Sequence, residues 1–140
     1  MSELNQWLFQ AINLSPHTAE GWIGLARFST HQLPVVMLIL PLASLAARRS
    51  PWRTLGMELL LAMALAWACA RLIQQAWPMP RPFVLELGQL WIAHGASPSF
   101  PSTHASVAFA WGALAWWRMA HTRLRWWALV PPLLVAWSRV

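Results

Sequence analysis

No aspartate and no lysine occurs among the 140 residues; all ten basic residues are arginine, and the four acids are Glu3, Glu20, Glu58 and Glu86. Charged residues make up only 10% of the chain, well short of the roughly one quarter typical of a soluble domain. The single cysteine, Cys69, lies inside an apolar run, which excludes an internal disulfide and a thiol-rich metal site. The N-terminus has neither the basic region nor the compact apolar core of a cleavable signal, so the later apolar segments are expected to direct insertion themselves. Internal repeats and low-complexity tracts are also absent.

What is present points to a membrane. The chain is 58% hydrophobic, carries 12 tryptophans and has a mean hydropathy of +0.44. Its apolar residues fall in long runs, not in the spaced stripes of a soluble bundle. The formal net charge of +6 invites a nucleic-acid reading, but the arginines cluster at the ends of apolar runs and form no continuous basic face. Membrane topology explains them, and no nucleic-acid partner is expected.

The pattern predicts one all-α, membrane-embedded domain over 1–140. Residues 4–14 form an amphipathic stretch with Leu4, Trp7, Leu8, Ala11 and Ile12 on one face. Ser15-Pro16 then looks like a helix start, followed by Trp22, Ile23 and Ala26 on one side. This 1–30 region either lies on the membrane surface or adds a span. Spans are expected at 31–47, where Pro34 and Pro41 should bend the helix, and at 55–77, 104–117 and 126–140. Between the second and third lies a polar, proline-rich loop, 78–103. The positive-inside rule puts the Arg48–Arg53 and Arg118–Arg125 loops on the cytoplasmic side, and hence 78–103 and Ser138-Arg139 on the outer face. Tryptophans at span ends, such as Trp77, Trp117 and Trp126, suit an aromatic belt rather than a platform for stacked bases.

Three short stretches share that outer face: Arg81-Pro82-Phe83, Ser99-Phe100-Pro101-Ser102-Thr103-His104, and Ser138-Arg139. Guanidinium forks bind phosphate oxygens, and a helix start offers hydroxyls, backbone N–H groups and a favourable dipole. Physics alone makes this a candidate phosphoryl-binding site. Each piece also has a plainer reading: Arg81-Pro82 as a loop feature, Pro101-Ser102 as a helix cap, and Arg139 as an interfacial anchor. Arg71, within an apolar run, either snorkels to the interface or meets substrate. Glu58, beside Arg53 at a helix start, suits a structural role. His94 is a proton carrier, a headgroup contact or a solvated loop residue.

In combination these stretches resemble the type 2 phosphatidic acid phosphatase superfamily. Its signature is Lys, six residues, Arg-Pro; then Pro-Ser-Gly-His; then Ser-Arg, five residues, His, with an Asp shortly after. Arg81-Pro82 matches the first part, Pro101-Ser102-Thr103-His104 the second, and Ser138-Arg139 opens the third. The wider run, with His94 and Ala136-Trp137-Ser138-Arg139-Val140, and the N-terminal Phe9, Ile12-Asn13 and Ser15-Pro16, is most similar to bacterial undecaprenyl-diphosphate phosphatases linked to bacitracin resistance. The resemblance implies a transmembrane helical bundle in a bacterial inner membrane, with its site facing the periplasm. It also implies hydrolysis of a polyprenyl diphosphate in carrier-lipid recycling for cell-wall synthesis, or of another lipid phosphate.

Residue by residue, the likeness makes Arg81, Ser102, Thr103 and Arg139 phosphate-binding and His104 the general acid, with no metal and no cofactor. The nucleophile, forming a phosphohistidine, would be the third-motif His. Three departures stand out. Gln74 occupies the first-motif Lys position, so that Arg71, nearly a turn earlier, either substitutes or the branch does without. Thr103 replaces the usual Gly. The third-motif His would lie six positions beyond Arg139, past Val140, and the supporting Asp is missing as well. The 140-residue chain is therefore expected to be C-terminally incomplete and catalytically silent. The competing expectation is a non-catalytic membrane protein that keeps a phosphate-binding half-site; His94 would be the stand-in nucleophile if the chain turned over.

Overall fold

The computed structural model describes residues 20–48, 50–78 and 100–138. The expected 4–14 helix, Arg81, His94 and Arg139 lie outside them. Within the described residues there are four α-helices and no strand: α1 (Glu20–Leu45), α2 (Ser50–Ala76), α3 (Thr103–Arg118) and α4 (Val130–Trp137), with a 3-10 segment, Arg123–Leu129, leading into α4. α1 and α2, with 26 and 27 residues, rise about 39–40 Å at 1.5 Å per residue. Both are long and apolar enough to cross a membrane, whose hydrocarbon core is about 30 Å thick.

Two elements differ from the sequence pattern. The first helix begins at Glu20, not near residue 31, and runs unbroken through Pro34 and Pro41. Ser29 and Thr30, which look like a polar break, are buried at 0% and 4% exposure and pack inside the bundle instead of ending the helix. The last apolar run is divided into the 3-10 segment and α4, with proline at the start of α4. Pro131 and Pro132 fall in the first turn of α4, where the missing N–H costs no intrahelical hydrogen bond and the fixed φ already suits a helix. α3 has 16 residues and α4 eight, about 24 Å and 12 Å of rise.

The helices touch through small residues, and much of the outer surface is apolar. Met37, Ala108 and Val135 form the core, flanked by Leu33 and Trp111. A Cβ on Gly112 would stand 2.7 Å from the Pro132 ring and 2.9 Å from the Ala128 carbonyl; one on Gly56 would strike the Ser44 side chain and the Pro41 carbonyl. Such close approach is how helices pack where lipid removes the hydrophobic drive between them. Outward lie Val35, Ile39, Leu40, Leu61, Leu65 and Leu72, each more than half exposed.

The chain passes back and forth between two ends. α2 packs against α1 and α3, and α4 against α1 and α3. At one end, Arg118 Nε meets Glu58 Oε2 at 3.0 Å, and the Arg125 guanidinium lies 4.9 Å and 5.1 Å from the Trp116 and Trp126 rings. Glu58 thus pairs with Arg118 across α2 and α3. The other end gathers the C-terminus of α2, the N-terminus of α3 and Ser138.

Candidate active site at one end of the bundle

The start of α3 is set by Pro101-Ser102. Ser102 is extended (φ −66°, ψ 117°), and its Oγ accepts from the Ala105 N–H at 3.4 Å, while its carbonyl accepts from Ser106 N at 2.9 Å. The hydroxyl expected to face phosphate is thus also the helix cap. Thr103 and His104 form the first turn, where helix N–H groups and the dipole favour an anion. Ser102 and Thr103 are half-buried and His104 is exposed.

Gln74 ties this turn to α2. It is only 7% exposed, and its Nε2 donates to the Pro101 carbonyl at 2.7 Å, across 27 residues of sequence. Its Oε1 accepts from Arg71 Nη1 at 3.3 Å. Gln74 therefore braces the start of α3 and carries Arg71 with it.

Beside the turn lies a cavity of about 230 Å³ lined by Pro34 and Met37 of α1, Met63 and Trp67 of α2, and Thr103, His104, Val107 and Ala108 of α3. His104 and Thr103 belong to both the polar helix start and this largely apolar cleft. That is the arrangement a ligand with a charged head and an apolar stem requires.

Ser138 comes to the same end. Ala108 lies one turn inside His104, Val135 just under one turn before Ser138, and both share a cluster with Met37. With Gly112 against Pro132 deeper in the bundle, α3 and α4 run antiparallel, so His104 and Ser138 face the same way. Thr30 Oγ1 donates to the Ser138 carbonyl at 3.4 Å, and the Ser138 hydroxyl donates to Val135 O at 2.9 Å. Trp22 and Trp137 meet edge-on with centroids 6.1 Å apart.

Comparison with known proteins decides the family. The model of the PAP2 superfamily, the type 2 phosphatidic acid phosphatases, matches residues 55–140. A curated protein of Escherichia coli (strain K12), "Putative undecaprenyl-diphosphatase YbjG", is 33% identical over 146 residues, covering 100% of this chain and 70% of that protein. The chain belongs to the PAP2 superfamily. No solved structure matches it. The bundle is accordingly a PAP2 helical membrane fold, with Ser102, Thr103, His104 and Ser138 at one end.

Sequence reasoning singled out Ser102, Thr103, His104, Arg71 and Gln74 but gave Gln74 no brace to Pro101. It also missed the PAP2 chain's cleft, because α1 and α2 are apolar almost all round and no stripe marks Met37, Met63 and Trp67 as inward. Thr30 carried a signal in retrospect: a hydroxyl in an apolar run needs a partner.

Proposed function

We propose that this PAP2-superfamily protein takes part in hydrolysis of undecaprenyl diphosphate to undecaprenyl phosphate and inorganic phosphate, at the periplasmic face of a bacterial inner membrane. The observation that carries the reading is the shared placement of His104 and Thr103, at once on the anion-favouring first turn of α3 and on the wall of the apolar cleft. A diphosphate at the helix start puts the first part of an isoprenoid stem into a cavity that is small beside the roughly 300–1,000 Å³ of whole-ligand pockets. The remaining tail would run in lipid along the apolar flank of α1 and α2.

In this reading Arg81 and Arg139 grip the terminal phosphoryl oxygens, with Ser102 and the Thr103 N–H adding hydrogen bonds. A nucleophilic imidazole of the family's third motif attacks the terminal phosphorus. The bond to the bridging oxygen breaks, and His104 gives its proton to the departing lipid phosphate. Water then attacks the phosphohistidine, returns a proton to His104 and releases phosphate. Charge stabilisation comes from arginines and the helix start.

The test measures binding and turnover separately in the purified 140-residue chain in detergent, beside His104→Ala. Undecaprenyl diphosphate should bind to the parent chain, and any phosphate release should fall in His104→Ala. Failure to bind any lipid diphosphate would refute the reading. Phosphate release that is unchanged in His104→Ala would remove its role as general acid.

A further inference from the structure

We propose that Arg71 is a phosphate-contacting cation of this site and that Gln74 is the positioning residue that aims it, an inference resting on the lipid-diphosphate reading above. An arginine near the end of an apolar helix is free in principle to turn outward to headgroups. Here its Nη1 donates to Gln74 Oε1 at 3.3 Å, and Gln74 is buried with its other end on the Pro101 carbonyl at 2.7 Å. The guanidinium is thereby drawn along α2 toward the turn that begins with Ser102.

Charge balance points the same way. Among the described residues the ion pair formed is Arg118 with Glu58, at the opposite end of the bundle, and none of the carboxylates described there pairs with Arg71. An Arg fork has five N–H donors; one meets Gln74, and the planar head suits bidentate contact with phosphoryl oxygens. A neutral amide at position 74 does two things that a cation there could not do together. It donates to Pro101 and accepts from Arg71, so the charge is delivered from three residues earlier.

The experiment is the dissociation constant for farnesyl diphosphate in a non-ionic detergent free of phospholipid, for the parent chain, Arg71→Ala, Arg71→Lys and the double variant Arg71→Ala/Gln74→Lys. Loss of one charge-assisted contact should weaken binding by about 10–100-fold in Arg71→Ala. A lysine at position 74 keeps a donor for Pro101 and restores a cation, so the double variant should return to within about threefold of the parent. The salt dependence of binding should fall in Arg71→Ala and recover with it. Affinity of Arg71→Ala within twofold of the parent overturns the proposal. So does a weakened variant that Gln74→Lys does not rescue, because the loss would then be structural. If the double variant loses its helical circular dichroism, Arg71→Lys decides: affinity near the parent supports the charge role, and affinity equal to Arg71→Ala overturns it. A parent chain that is helical yet does not bind sinks the lipid-diphosphate reading itself.

Discussion

Replacing Gly112 with alanine tests the packing that brings His104 and Ser138 to one end. In a helix interior, Gly→Ala normally stabilises by about 0.5–1 kcal/mol, because glycine has more chain entropy to lose. Gly24, also inside a helix, has nothing within 4 Å of a new Cβ, and Gly24→Ala should show that gain. At Gly112 the new methyl would sit 2.7 Å from Pro132 Cγ and 2.9 Å from the Ala128 carbonyl. Neither can swing aside, one being a ring and the other backbone. Overpacking of this kind costs about 1–3 kcal/mol, which outweighs the propensity gain and reverses the sign. Unfolding in mixed micelles, followed by circular dichroism against mole fraction of denaturing detergent, should place Gly112→Ala below the parent and Gly24→Ala at or above it. If Gly112→Ala is as stable as the parent, α3 and α4 do not meet as described, and the shared end for His104 and Ser138 falls with them.

Further outcomes follow from the same geometry. Val107→Trp, which fills the cleft, should weaken binding of long isoprenoid diphosphates by about tenfold while leaving inorganic phosphate unchanged, since the lost contact is apolar; equal loss for both ligands would place the stem elsewhere. In a polypeptide that carries the third-motif His, His104→Ala should lower phosphate release by about 10²–10⁴-fold, read as single-turnover release; an unchanged rate would remove its role as acid. Ser102→Ala should cost about 0.5–1 kcal/mol in micelle unfolding, at the low end for a lost cap because the bond is long; a loss above 3 kcal/mol would contradict so weak a cap.

How much was legible depended on how local the cause was. The start of α3 was readable within a residue, because Pro101-Ser102 is a local stop-and-cap signal. Its end at Arg118 was marked by the basic loop. The helical stretch around Trp22 and the run from residue 31 were read apart because Ser29, Thr30 and His31 interrupt the apolar run, and only tertiary contact shows that Ser29 and Thr30 point inward while His31 does not. At the C-terminal end Pro131-Pro132 set the start of α4 within the apolar run, at the first-turn positions that proline favours. Gln74 was visible as a departure from the motif, but its partner lies 27 residues away, and no local pattern reports that.

The α2–α3 pair is tied at both ends by bonds of different worth, and the difference says where the site's rigidity comes from. Glu58 to Gln74 and Thr103 to Arg118 span nearly equal rises, about 24 Å and 22 Å, so the Glu58–Arg118 ion pair and the Gln74–Pro101 bond close the two helices like rungs. The ion pair is 38–44% exposed, and such pairs contribute about 0.2–1 kcal/mol. Gln74 is buried. Substituting Gln74→Leu would strip the Pro101 carbonyl of its donor and Arg71 of its acceptor, at about 1–3 kcal/mol for the unmet group. Stability should therefore fall more for Gln74→Leu than for Glu58→Gln in micelle unfolding. The reverse order would mean that the turn bearing His104 is held from the Arg118 end, and that Gln74 does not brace it.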